Sequence, residues 1–127
     1  MIIEIDHIKN LSNIFGKEEI LQLKKEFATL FKKEIRETDT FGKWIKEEQF
    51  AIVAPDVNFS GAKNFARKLN QRLKEHRFPK VGKITCSYGI TSYSKQDTLG
   101  EFRRRAENAL KEAVERGGNS IEVKIIV

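Results

Sequence analysis

The chain has 127 residues and one cysteine, Cys86, so it can form no intramolecular disulfide and no cysteine-based zinc site. Two histidines, His7 and His76, are too few for a His-rich metal centre. Only two prolines occur, and no Pro/Gly/Ser linker or low-complexity tract divides the chain. No apolar run approaches the ~20 residues that a bilayer span needs. The opening Met-Ile-Ile-Glu-Ile-Asp-His-Ile-Lys places acids inside its apolar stretch, so it does not read as a signal peptide, and a cytoplasmic location is expected. The length suits one domain over 1–127, since domains cluster at roughly 100–150 residues.

What is present is apolar material for a core and an excess of cations. Hydrophobic residues make up 39%, with nine Phe as bulky anchors, which excludes a disordered chain. Lys and Arg number 24 against 18 Asp and Glu, a net charge of +6. Lys63, Arg67, Lys68, Arg72, Lys74 and Arg77 face a single acid, Glu75, in one stretch, and 103–105 is Arg-Arg-Arg. Such clusters suit either a solvated helix face or an anionic partner.

Apolar spacing gives the elements. Residues 2–6 read as a strand with Ile3 and Ile5 inward, and 17–36 as a helix with Ile20, Leu23, Phe27, Leu30 and Phe31 at helical spacing. Strands are expected over 39–44 and 48–54, joined by a tight turn near 45–48. A second helix follows Asn58/Ser60 caps with Ala62, Phe65, Ala66, Leu69 and Leu73 on its stripe, and stops before Pro79. Residues 83–91 form a strand. Asp97 or Thr98 caps a third helix, which ends at Gly117-Gly118, and Ile-Glu-Val-Lys-Ile-Ile-Val closes as a strand. The expected class is α+β: a ferredoxin-like, palm-type βαββαβ core with an appended helix and strand. Its sheet is mixed but mostly antiparallel, covered by helices on one face. Nucleotidyl transferases, nucleotide cyclases and RNA-binding modules share this plan, so fold alone does not choose.

Three ordered motifs do. Glu4-Ile5-Asp6-His7-Ile8-Lys9-Asn10-Leu11-Ser12-Asn13-Ile14-Phe15-Gly16-Lys17 fits the D-I-D-x-F-K-x-I-N-D-x-x-G-H pattern without a gap. Ser87-Tyr88-Gly89-Ile90-Thr91 resembles S-x-G-I/V-A. The run from Ala106 to Asn119 resembles A-D-x-A-L-Y-x-A-K-x-x-G-R-N. The chain thereby resembles a GGDEF domain, the fold of diguanylate cyclases, over nearly its whole length. The resemblance implies condensation of two GTP into cyclic di-GMP between two facing domains, with metal ions bridging carboxylates and phosphates.

The chemistry that the resemblance implies is not intact. The signature Gly-Gly belongs on the hairpin turn, which here reads Lys43-Trp44-Ile45-Lys46-Glu47-Glu48-Gln49-Phe50. Aligned on Phe50, the signature lies over Lys46 to Phe50; aligned on Lys43-Trp44, it lies over Ile45 to Glu48, with Gln49 inserted. Both glycines are lost either way. Glu4 stands for the first metal-binding Asp, Ser12 and Leu21 for the two guanine readers, Val114 for a phosphate-contacting lysine, and Gly118 for a nearby basic residue. Leaving guanine's polar edge unpaired costs several kcal/mol of discrimination. Glu47 and Glu48 are vestigial catalytic acids, and with Glu4 they form a candidate Mg²⁺ site should nucleotide bind; no cofactor is otherwise required.

A second motif survives. Arg36-Glu37-Thr38-Asp39 matches the family's R-x-x-D inhibitory site for cyclic di-GMP, with Arg67 or Lys68 as the second cation. An Arg fork pairs with phosphate or stacks on guanine, and Asp accepts from guanine N–H groups. The leading expectation is therefore a non-catalytic signalling, sensing or dimerisation module, as a homodimer or beside other domains of a larger protein. An active divergent cyclase is second. A sheet-surface nucleic-acid binder is last, because only Tyr88 and Tyr93 offer aromatics. The family's leading helix before the first strand is not in this sequence, which would expose part of a sheet face or edge.

Overall fold

A computed structural model describes residues 1–55 and 57–126. The order is β1 (Ile2–Ile5), α1 (Ile8–Phe15), α2 (Lys17–Lys32), β2 (Thr40–Lys43), β3 (Gln49–Val53), α3 (Phe59–Glu75), β4 (Cys86–Ile90), α4 (Leu99–Glu115) and β5 (Ile121–Val123). The five strands lie in the order β2-β3-β1-β4-β5. All pairs are antiparallel except β4–β5, which α4 connects as a crossover. The βαββαβ core with its appended helix and strand is as the periodicities predict, including the hairpin with its turn at 45–48.

One face of the sheet carries most of the core. Ile3, Ile5, Phe50, Ile52, Tyr88 and Ile90 pack there against Leu23, Phe27 and Phe31 of α2 and Leu69 and Leu73 of α3. The Phe27 ring centroid lies 4.2 Å from Phe31 and 5.0 Å from Phe50. Each such side chain, fully buried, contributes about 1.5–3 kcal/mol of transfer free energy.

The expectation of helices on one face is corrected. Ile2, on the opposite face, packs with Ala106 and Leu110, so α4 covers the other side. Gly89 makes this possible: a Cβ there would lie 2.3 Å from the Leu110 backbone N. Strand residues this small carry no hydrophobic signal, so the second layer was illegible in the alternation.

Helix α1 is a further difference. Ile8, Leu11 and Phe15 share a face, but each is only half-buried, and His7 starts the helix at φ 59° instead of as a side-chain cap. The expected 17–36 helix ends at Lys32, and β4 begins at Cys86. The expected caps are present. Asn58 Oδ1 accepts from Gly61 N at 2.8 Å, and Thr98 with Glu101 forms a capping box. Strand β5 stops at Val123, and Val127, the last residue of the expected strand, lies outside the described residues.

Candidate functional site

The β2–β3 hairpin has a candidate site at each end. At the turn, Trp44 N donates to Gln49 O at 3.0 Å and Gln49 N to Lys46 O at 3.0 Å, which closes a four-residue loop over 45–48. The only non-glycine positive φ values among the described residues are at His7, Lys80 and Asn119. The loop thus turns without the left-handed conformation for which glycine is suited. Its side chains project outward: Ile45 is 64% exposed. Glu47 reaches Lys24 Nζ of α2 at 3.7 Å.

The neighbouring acids are otherwise engaged. Glu4 sits opposite Gln49 in the ladder and accepts from its Nε2 at 2.9 Å. Glu48 meets β1 through its backbone, which accepts from Ile5 N at 3.1 Å. No three His, Cys, Asp or Glu side chains among the described residues cluster tightly enough to hold a metal ion, so Glu4, Glu47 and Glu48 do not converge in this arrangement. Ser12 lies on α1 and Leu21, exposed, on α2.

Asp6, at the same end, was missed as a key position. Its carboxylate accepts from Thr85 Oγ1 at 2.6 Å, Ser87 Oγ at 2.7 Å and Asn119 N at 2.8 Å. It thereby ties β1 to β4 and to the turn after α4. Gly118, at φ 78°, lies so near that a Cβ would stand 2.8 Å from the carboxylate. The available signal was the alternation itself: with Ile3 and Ile5 on one face, Asp6 falls on the other, which α4 buries.

At the opposite end, the chain leaves α2 and turns into β2. Arg36 N donates to Asp39 Oδ2 at 2.8 Å, Arg36 Nη2 lies 3.0 Å from Asp39 Oδ1, and the same nitrogen donates to Pro55 O at 2.9 Å. The Asp39 side chain is 2% exposed and that of Arg36 52%. Burial pushes the Asp39 carboxyl up, but the Arg36 side-chain and backbone hydrogen bonds outweigh it and hold it below the usual carboxylate range. Lys68 Nζ lies 3.2 Å from Glu34, and Arg72 Nε 3.0 Å from it.

A cavity of about 1210 Å³ opens here, lined by Glu34, Arg36, Asp39, Pro55 and Lys68 on its polar side. The structure thus brings Arg36, Asp39 and Lys68 together. Arg67 is not on the lining and donates to Asn64 at 3.3 Å. A second cavity of about 480 Å³ lies between α2 and Phe78-Pro79. Neither cavity is lined by Glu4, Ser12, Leu21, Glu47 or Glu48.

Three other residues resolve simply. Cys86 is buried in the core, where burial pushes its thiol pKa well up. Tyr88 is fully buried with its hydroxyl 3.3 Å from Asn70, so it cannot stack on a base, and Tyr93 lies outside the strands. Trp44 packs beside Ile2 and Ala106 and donates to Glu107 at 3.3 Å. No helix of the described residues is long and apolar enough to cross a membrane.

Comparison with known proteins agrees with this architecture. Residues 1–120 match the family model described as "Diguanylate cyclase, GGDEF domain". The chain is 28% identical over 135 residues to the probable diguanylate cyclase DgcT of Escherichia coli (strain K12), covering 100% of this chain and 29% of that protein. It is 28% identical over 131 residues to diguanylate cyclase VdcA of Vibrio cholerae, covering 95% of this chain and 37% of that one. The chain therefore spans only about a third of the length of either relative. Among solved structures, the active GGEEF domain of a diguanylate cyclase from Vibrio cholerae superposes with a TM-score of 0.87 at 27% identity, covering 96% of this chain and 79% of that one. The GGDEF domain of DgcB from Caulobacter crescentus in complex with c-di-GMP superposes at 0.88 with 18% identity, covering 96% and 74%.

Proposed function

The chain belongs to the GGDEF domain family, and from that premise we propose that it is a non-catalytic member acting as a cyclic di-GMP-responsive signalling module of the bacterial cytoplasm. The observation that carries this reading is the contrast between the two ends of the hairpin. The 45–48 loop has side chains in place of both signature glycines, and its Glu47 pairs with Lys24. At the other end Arg36, Asp39 and Lys68 share a large cavity. A cyclic dinucleotide carries two phosphates for Arg36 and Lys68 and a guanine edge for Asp39. Reading guanine requires Arg36 to release Asp39 and turn to phosphate, which conserves the charge-assisted bonds while exchanging their partner. The module would work as a homodimer or beside other domains of a larger signalling protein.

The second reading is a divergent diguanylate cyclase. It has in its favour the adjacency of β1 and the turn, where Glu48 O accepts from Ile5 N. Glu4, Glu47 and Glu48 would then have to leave Gln49 and Lys24 and close together on Mg²⁺, which would neutralise phosphate charge.

One set of titrations separates the two. Calorimetry with cyclic di-GMP, GTP and Mg²⁺ in turn is expected to show micromolar binding of cyclic di-GMP, weak binding of GTP, and no cyclic di-GMP formed on incubation with GTP and Mg²⁺ or Mn²⁺. Turnover clearly above a blank overturns the non-catalytic reading. Absence of any heat with cyclic di-GMP to about millimolar, near −4 kcal/mol, removes the ligand and leaves Arg36–Asp39 as a surface ion pair.

A further inference from the structure

The cations that α3 brings to the 36–39 end already hold an anion, and it belongs to the chain itself. Glu34 lies in the turn after α2, where its backbone N donates to Phe31 O at 3.0 Å. Its carboxylate is clasped from α3. Oε1 accepts from Arg72 Nε at 3.0 Å, and Oε2 lies 3.2 Å from Lys68 Nζ. The Glu34 side chain is 17% exposed beneath Lys68 at 54% and Arg72 at 46%. Burial pushes its carboxyl up, but the Lys68 and Arg72 hydrogen bonds hold it below the usual range, so it is an anion at neutral pH. Each of its oxygens thus meets a separate cation. Two oxygens of a phosphate would take the same two donors.

The two acids of this end differ in what a cyclic dinucleotide can give them. Guanine N–H groups can replace the Arg36 bonds that Asp39 gives up. A phosphodiester has no proton to donate, so nothing replaces the bonds that Glu34 gives up when its cations turn to phosphate. Charge points the same way. Arg36, Lys68 and Arg72 against Glu34 and Asp39 leave one net positive charge, facing a ligand with two negative ones. Without the Glu34 charge the two sides match.

We infer that Glu34 sets the affinity of the 36–39 site: its carboxylate fills the phosphate seat of Lys68 and Arg72, and an incoming phosphate must displace it. This rests on the cyclic di-GMP reading for its ligand, while the seat itself is open to test with inorganic pyrophosphate. Both cations are about half exposed, so these pairs are screened and hold the fold only weakly. The seat can therefore be emptied by substitution without unfolding the domain.

Calorimetry on the intact chain, with cyclic di-GMP and pyrophosphate as separate probes, tests this. Glu34→Gln should tighten both about tenfold, or 1.4 kcal/mol, with urea denaturation close to wild type. Glu75→Gln is the control. It changes the net charge equally and removes the other partner of Arg72, at 3.4 Å, but leaves Lys68 on Glu34 and lies off the cavity. It should leave both affinities within about twofold, as for a screened exposed pair. Lys68→Ala in the Glu34→Gln background should cancel most of the gain. Equal gains in Glu34→Gln and Glu75→Gln overturn the inference, since net charge and not the seat would set affinity. So does an unchanged pyrophosphate affinity in Glu34→Gln. A fall in cyclic di-GMP affinity there also overturns it, because the carboxylate would then be reading a second guanine. The two readings fail separately. If cyclic di-GMP binds neither protein while pyrophosphate binds Glu34→Gln more tightly than wild type, the seat stands and the cyclic di-GMP reading falls.

Discussion

At the 45–48 end of the β2–β3 hairpin, the family's chemistry would need acids gathered around a metal and a backbone bare enough for a nucleotide. There Glu47 finds one lysine at 3.7 Å, and Glu4 is taken by Gln49. At the 36–39 end, an acid is enclosed by the guanidinium and backbone N–H of one residue, beside a cavity of about 1210 Å³. The difference teaches that the scaffold and the hairpin turn rest on different residues. Asp6, one residue past β1 and fully engaged, holds the scaffold; at the positions where the resemblance puts contacts to GTP stand Ser12, Leu21, Ile45 and Lys46. Substitution there costs the fold little, because those side chains lie on half-exposed or exposed surface.

The largest effect expected is at Asp6. Asp6→Ala leaves the Thr85 and Ser87 hydroxyls and the Asn119 N–H without their acceptor, with the Ser87 bond buried and the other two half-buried. A loss of about 2–4 kcal/mol in unfolding free energy follows. Glu4→Ala, which removes one half-buried contact to Gln49, should cost under about 1 kcal/mol. Urea denaturation measures both. Equal losses would mean that the turn end is not divided into a structural acid and a spare one.

Next comes the 36–39 end. Arg36→Ala and Asp39→Ala are each expected to weaken cyclic di-GMP binding about tenfold, or 1.4 kcal/mol. The double variant should lose less than the sum, because the two residues act as one unit. Calorimetry reads this directly. An additive double variant would place the two residues on separate parts of the ligand.

The same acids predict an acid limb. Burial raises the Glu34 carboxyl, but hydrogen bonds from Lys68 and Arg72 bring it below its usual range. The Ser94 N–H and then Arg105 do the same for Asp97, and Arg36 for Asp39. A carboxyl whose folded pKa is depressed stabilises fully above its unfolded value and loses that contribution as pH falls through the folded one. These carboxyls should therefore add a fall in melting temperature below about pH 4. Asp39→Asn should flatten part of that limb, by thermal melts across the range. An unchanged limb would show that the Arg36 pair adds nothing.

Much of this was legible in sequence, for reasons that particular residues make plain. Strands and helices with large apolar stripes, such as Phe27, Phe31 and Leu69, follow from spacing alone. The R-x-x-D pair is legible because its partners are three residues apart. The second layer was not, since Gly89 marks the close approach of α4 by lacking a side chain. Nor was the choice of Lys68 over Arg67 at the cavity, which depends on how α3 is rotated against Glu34, a residue distant in sequence.

The smallest effect is expected at Glu47, and its smallness is the point. The Glu47 side chain is 92% exposed, and its one partner, Lys24, is 15% exposed at 3.7 Å. An exposed pair of this kind is worth at most about 0.5 kcal/mol, because water screens it and both side chains lose rotamer freedom. Glu47→Ala should leave the melting temperature within about 2 °C, since a full 1 kcal/mol moves a domain of this size by only several degrees. Millimolar Mg²⁺ should likewise leave the wild-type melt unmoved, whereas a bound ion would raise it in proportion to the logarithm of its concentration. A Mg²⁺-dependent rise that Glu47→Ala removes would restore the acids of the turn to a metal. It would favour the cyclase reading over the module proposed here, because a site kept for an ion has a use beyond solubility.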